Sequence, residues 1–573
     1  MSGAAQALSP AEAMVRIRMA MQSNDLTGAR TLAEEARRSH PRDAALADAA
    51  GDLALRAGDA AAAVEHFKAA VEIAPGLLDY VLNQAIALQR LNRHQEVIEL
   101  LSVHEREGRA EARYGSVRAL SHRSLGDPAE AARWYDAAIT ADARHPRALH
   151  GRARVALERG EADAVQRFDA ALAANSGDAD LWLGKAQALE VAGDVTGART
   201  IAEQICAQAP GFIPALEFLS GLKLAAGETD FASPFRAAAQ RVPQDPNIAA
   251  SHIETLAGLD HAKEAAEIAA EARARFANEP HFAMLEAIHA SSAGEWDRAD
   301  QIFSGLKTDT PLRALHEARH HIRAGDLERA EALLERALSA DPWDISAWAL
   351  RGMAWRLSDD PAIRDRAAWL HEQTGLVQLR PLVGRDGLVE DAVAELHVLH
   401  DASAMPLGQS LRGGTQTRGI LFHRTEPLLA ELHAAIRATL EEYRADLAAK
   451  DETHPLLRHR DAPWQLAGSW SVRLGGGGTS GGDYHTAHIH PQGIVSSALY
   501  LIVPDEVHQE GKRGWLEVGR PPPDLGLDLE PLRQIEPQIG HLALFPSTLY
   551  HGTTPFGSAQ RMTVAFDVVR EAG

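Results

Sequence analysis

The feature that most constrains this chain is a turn residue that returns at a fixed interval. Asn24, Gly58, Asn92, Gly126, Gly160, Gly193 and Gly227 follow one another at steps of 33 or 34 residues. Gly294 and Gly325 continue the series after steps of 67 and 31, and Leu259–Asp260 lies near the middle of the long step. Gly and Asn enter the left-handed backbone region at little cost, so each marks a point where a helix ends and the chain reverses. Between the marks the sequence is Ala-rich with apolar residues at helical spacing, as in AAAAVEHFKAAVEIAP (60–75) and ERAEALLERALSADP (328–342). This pattern predicts stacked helical hairpins, an α-solenoid.

A 34-residue helix–turn–helix period is that of the tetratricopeptide repeat. We expect about nine such units with a terminal cap over residues 1–374. Ser9, Pro10 and Glu12 form a capping-box signature for the first helix. Repeats of this kind bury a continuous core only by stacking, and the stack leaves a curved groove. The expected partner is a protein or peptide substrate in that groove, although dimerisation or plain scaffolding uses the same architecture, so a homo-oligomer stays open. Trp348, Trp355 and Trp369 are expected to pack in the cap. The His-rich stretch HEARHHIR (316–323) is expected to form solvated helix faces and not a metal site.

Composition narrows the function classes. Lys+Arg of 58 against Asp+Glu of 79 gives a formal charge of −21, which repels a phosphate backbone and argues against nucleic acid as a partner. The single cysteine, Cys206, forms no intramolecular disulfide and fits a reducing compartment. The sequence has no 18-residue apolar run, so no membrane is expected and the cytoplasm is the simplest location.

After about residue 375 the helical pattern gives way to short apolar runs suited to strands. TEPLLAELHAAIRATLEEYRADLAAK (425–450) is expected as a long helix supporting them, and PWQLAGSWSVRL (463–474) as a strand. GWLEVGRPPPDLG (514–526) reads as a strand ended by prolines, which cannot donate to a sheet. Within this region HTAHIHP (485–491) places His488 and His490 two residues apart, and alternate strand residues share a face. ALFPSTLYHG (543–552) brings His551 to the end of another apolar run, and RMTVAFDVV (561–569) begins with Arg561 and Thr563 on one strand face. The chain has 27 histidines, so one alone signifies a surface or core residue. The ordered set points to a metal site, because imidazole suits iron and a strand Arg suits a carboxylate. The Gly-rich GGGGTSGGDY (475–484) lacks the Gly-Lys-Ser/Thr ending of a phosphate loop and is expected as a mobile edge of the site.

These residues carry a family resemblance. QSLRGGTQT (409–417), HIHP (488–491) followed by SSALYLIVP, GHLALFPSTLYHG (540–552) and RMTVAFDV (561–568) resemble the bacterial 2-oxoglutarate/iron(II) oxygenases that carry N-terminal tetratricopeptide repeats. The resemblance implies an α+β domain with a double-stranded β-helix (jelly-roll) core over residues 375–573. It implies Fe(II) held by His488, His490 and His551, and 2-oxoglutarate as cosubstrate, bound by Arg561 with Thr563 and Tyr500. His490 stands where the wider superfamily has Asp or Glu. A hydroxylase of proteins or peptides is thus the leading expectation. A three-histidine metal enzyme that does not use 2-oxoglutarate, and a non-catalytic scaffold, are the alternatives.

Overall fold

The computed structural model describes residues 8–401, 403, 411–475, 483–557 and 559–571. The expected mobile loop at 475–484 lies for the most part outside the described residues. The chain divides into two compact units, Met1–Lys185 and Ala186–Gly573. The last repeat helix ends at His371 and the first strand starts at Gln378.

The periodic turn residues do what their spacing implies. Every one of the nine has a left-handed φ, from 56° at Asn92 to 87° at Gly193, and Asp260 (65°) supplies the tenth turn inside the long step. The described residues thus hold ten hairpins with such a turn, one more than expected, and helices Ile345–Leu357 and Pro361–His371 pair as an eleventh. At Asp25, Asp59, Asp127, Asp194 and Asp326 the residue after the turn caps the next helix, its carboxylate accepting a backbone N–H three residues on. The left-handed residue ends one helix and the acid starts the next. The capping box at Ser9 and Glu12 forms as expected.

The His-rich helix Pro311–Ala324 corrects one expectation. Residues 316–323 are not solvated: Glu317 and His320 are buried, and Arg319 and Arg323 bind Asp524. The helix face that was expected to meet water meets the sheet-rich region instead. The three tryptophans pack as expected, with Trp348 ring centroids 6.1 Å from both Trp355 and Trp369.

Among the described residues eleven strands follow: β1 (Gln378–Pro381), β2 (Leu411–Arg412), β3 (Thr415–Gln416), β4 (Trp464–Leu474), β5 (Tyr484–His485), β6 (Val495–Ile502), β7 (Leu516–Val518), β8 (Arg533–Ile535), β9 (His541–Pro546), β10 (His551–Thr553) and β11 (Arg561–Arg570). They build an antiparallel six-stranded sheet in the order β1-β9-β6-β11-β4-β3 and a three-stranded sheet β10-β7-β8, with β2 and β5 as a short pair. Alternation along β11 sorts its side chains. Met562, Val564, Phe566 and Val568 pack in one core with the helices Leu388–Asp401 and Pro427–Asp446. Arg561, Thr563, Ala565 and Asp567 line a cavity on the opposite face. Each fully buried aliphatic or aromatic side chain in that core contributes about 1.5–3 kcal/mol. The helix layer thereby fixes the strand that carries the site.

Candidate metal centre

Two of the three histidines are placed by backbone pairing. His488 and His551 form an antiparallel bridge in which each amide N–H donates to the other's carbonyl, at 3.0 and 2.9 Å. Opposed residues of an antiparallel pair share a face, and the ring centroids stand 4.3 Å apart. His490 returns to the same face, 5.0 Å from His488 and 5.1 Å from His551 by centroid. One ligand nitrogen from each of the three lies within 4.8 Å of the others.

The local backbone differs from the expected strand. His488 makes only the single bridge, and His490 lies outside any strand because Pro491 has no N–H and Gly493 N–H donates to His490 O at 3.1 Å, closing a turn. Alternation survives nonetheless. Ile489, between the two histidines, packs partly against a cluster with Tyr550 and Leu525 and also borders the cavity. His551 opens its own short strand β10 instead of ending β9, since Ser547–Tyr550 intervenes.

The hydrogen bonds select which nitrogen faces a metal. His488 Nδ1 lies 2.8 Å from Thr486 O, and His551 Nδ1 lies 3.2 Å from Leu549 O. A carbonyl only accepts, so both Nδ1 atoms carry the proton and Nε2 keeps the lone pair. Burial, and then the neighbouring His488 and His490, hold His551 well below the usual imidazole range. It is therefore neutral, the form that binds metals.

His490 is held differently. Its Nδ1 is 2.5 Å from Asp567 Oδ1. That oxygen is buried without a well-formed hydrogen bond, so the contact is a charge approach and not an aligned bond. A carboxylate behind a histidine orients the ring and raises its basicity toward a metal. Trp470 stacks on the other side, 5.5 Å away by centroid and within 15° of parallel. Sequence reasoning missed Asp567. Its signal was parity, because it stands six residues after Arg561 on the same strand face.

The cavity beside the histidines measures about 480 Å³, and Gln416, Trp470, Ile489, Arg561 and Thr563 are among its walls. Arg561 is 4% exposed and donates to Gly514 O at 2.9 Å. No carboxylate among the described residues pairs with it, and burial pulls its basicity down. Tyr500 pairs with Thr563 across β6 and β11, so it points inward as its parity with Ser496 and Ala498 suggests. Its ring lies under the guanidinium at 5.3 Å, and burial pushes its phenol up to about 12. The Tyr500 oxygen lies against Arg561 without a full hydrogen bond.

The QSLRGGTQT segment also reaches the site. Gly413 (φ 94°) and Gly414 (φ 78°) turn the chain so tightly that a Cβ on Gly414 would stand 2.3 Å from Arg473 O. Gln416 then lines the cavity, and His400 bridges Thr415 Oγ1 (3.0 Å) and Ser471 Oγ (2.9 Å). Residues 404–410 are outside the described residues.

Comparison with known families agrees with this geometry. Residues 468–567 match the family described as "Putative 2OG-Fe(II) oxygenase", and that span holds all three histidines, Tyr500, Arg561, Thr563 and Asp567. Residues 16–77, 117–164, 162–211 and 315–362 match the tetratricopeptide repeat. Among solved structures the chain is similar to pilF of Pseudomonas aeruginosa, with 17% identity over 36% of this chain and 96% of that one and a TM-score of 0.33. A tetratricopeptide repeat protein from Parabacteroides merdae is also similar, with 18% identity over 42% and 97% of the two chains and a TM-score of 0.33. None of the curated proteins matches. The chain thus matches the tetratricopeptide repeat over parts of its helical region and, over residues 468–567, the family described as putative 2OG-Fe(II) oxygenase.

Proposed function

We propose that this protein is an Fe(II)- and 2-oxoglutarate-dependent dioxygenase that hydroxylates a protein or peptide recruited by its repeats, with a double-stranded β-helix as the core of the catalytic domain and the cytoplasm as its location. The observation that carries the reading is the convergence of His488, His490 and His551 beside a cavity that also holds a buried arginine without a carboxylate partner. The residues present fit iron. Two Nδ1 atoms are occupied by carbonyls, which leaves Nε2 for a metal, and imidazole is a ligand that ferrous iron accepts. Iron with 2-oxoglutarate supplies oxidative decarboxylation of the keto acid coupled to insertion of one oxygen atom into a C–H bond.

This chain's own residues do the positioning. His488, His490 and His551 would hold the metal. The position where the wider superfamily has an acid is His490 here, and the Asp567 carboxylate approaches that ring from behind. Arg561 would take the far carboxylate of 2-oxoglutarate, and Thr563 and the Tyr500 hydroxyl, which share its face of the sheet, would donate to it. A charged donor buried in this way binds a carboxylate more strongly than it would in water. Trp470 and Ile489 supply apolar wall beside the histidines.

The test is anaerobic titration of the full-length protein with Fe(II) and then 2-oxoglutarate, followed by admission of oxygen and measurement of succinate. Stoichiometric 2-oxoglutarate binding and succinate formation, both lost in His551→Ala, are expected. Metal binding without any 2-oxoglutarate binding would leave a three-histidine metal enzyme of another kind, and the absence of both would leave a scaffold.

A further inference from the structure

Four elements far apart in sequence meet beside His551. Arg319, on the helix Pro311–Ala324, holds Asp524 through two contacts of Nη2 at 2.7 and 2.8 Å and one of Nε at 3.2 Å. Its Nη1 donates to the Tyr550 hydroxyl at 2.8 Å, and its guanidinium lies 5.9 Å from the centre of that ring. Arg323, one helical turn on, pairs with the same carboxylate and donates to Asp524 O at 2.6 Å. Arg356, on the helix Ile345–Leu357, donates to Gly519 O and Glu530 O at 2.5 Å each. Gly519 N–H in turn donates to Tyr550 O at 2.6 Å. The chain of contacts therefore runs from the repeats through Gly519 to Tyr550, the residue before His551.

The apolar surroundings agree. Ile322, Leu350, Met353 and Ala354 of the repeats form one buried cluster with Leu525 and Tyr550, and Ile489 packs on its edge. Ile489 sits between His488 and His490, and Tyr550 adjoins His551, so the same cluster touches the neighbours of all three histidines. Burial alone would raise the Asp524 carboxyl, but Arg319 and Arg323 hold it below the usual carboxylate range. A bidentate arginine pair of this kind fixes orientation as well as charge.

We infer that Arg319 and Tyr550 are positioning residues for the metal centre, through which the last repeats fix the His551 strand; this rests on the reading of His551 as a ligand. The last repeats on this account support the site from behind and are more than a recruiting arm. Neither residue faces the cavity, so each acts through the backbone of its neighbour. Aligned supports behind a ligand typically change metal affinity by about 10–100-fold.

The experiment titrates the full-length protein with Co(II) alone and follows its d–d absorption. Arg319→Ala and Tyr550→Phe should each weaken Co(II) binding about tenfold and alter the d–d band, at the low end of the range for such supports. The double variant should lose no more than either single one, because both remove the same contact. Arg351→Ala breaks a repeat ion pair with Glu331 that stands apart from this chain of contacts, and it should bind Co(II) like wild type. Wild-type affinity and band in both Arg319→Ala and Tyr550→Phe, with binding abolished in His551→Ala, would overturn the inference and leave the metal site standing. Undiminished Co(II) binding in His551→Ala would overturn the site reading and the inference together. If Arg319→Ala fails to fold by circular dichroism, Tyr550→Phe, which removes a single oxygen, decides.

Discussion

Replacing Asp567 by alanine probes the least expected part of the site. The carboxylate is the only described group that approaches His490 Nδ1, at 2.5 Å, and both side chains are largely buried, at 18% and 15% exposure. Removing it frees the imidazole to rotate and to exchange tautomers, and it withdraws a negative charge from behind a cation site. Loss of such a partner costs about 10–100-fold in metal affinity, or about 1.4–2.7 kcal/mol. We expect Asp567→Ala to sit in that range when Co(II) is titrated and its absorption followed. Asp567→Asn should also lose affinity, since it removes the negative charge and keeps only the volume of the side chain behind the ring. His490→Ala sets the floor by removing the ligand outright. If Asp567→Ala and His490→Ala both bind Co(II) as tightly as wild type, then His490 is no ligand and the carboxylate serves packing alone.

Three further outcomes follow from the same geometry. Arg561→Ala should weaken 2-oxoglutarate binding by roughly 10–100-fold, the value of a charge-assisted hydrogen bond, while leaving Co(II) affinity within about twofold; calorimetry with each ligand separates the two. Gly414→Ala should destabilise the catalytic region by about 1–3 kcal/mol, because the backbone there is left-handed and the new Cβ meets a carbonyl, and a lowered urea midpoint checks it. His400, held neutral by burial with its pKa lowered to about 4, should make stability fall on acidification. The unfolded imidazole binds its proton near pH 6.5, so the loss begins there and continues down to about pH 4, reaching at most about 3 kcal/mol. His400→Gln should flatten that dependence in urea melts taken across the window.

Much of this architecture was legible because it rests on backbone rules. Left-handed turns need Gly, Asn or Asp, so a regular interval of them exposes the hairpins, and Asp260 was visible only as the middle of a long step. The count fell short because Asp260 supplies a turn where the series shows neither Gly nor Asn, and because the final hairpin has no left-handed residue: Ser358 ends its first helix in extended conformation. The histidine triad and Arg561 could be read because alternation survives even where the strand does not. Asp567 escaped because an acid late in a strand looks like any surface charge until its partner is placed. The environment of Arg319 escaped for a deeper reason. Its partner Asp524 lies 205 residues away, and no local pattern distinguishes an arginine that meets water from one that meets another part of the chain.

The reciprocal amide bonds between His488 and His551 have a consequence for how the site can be taken apart. They belong to the main chain, so replacing either imidazole deletes a donor without releasing the other from its place. The space left by His488→Ala or His551→Ala therefore keeps its walls, and free imidazole added to the solution should enter it and restore Co(II) binding. The turn that carries His490 has no such tie. Without its ring Asp567 loses its partner, and a diffusing imidazole would have to be captured by that carboxylate alone. Rescue at two positions and not at the third would separate the two ways in which this fold holds a histidine.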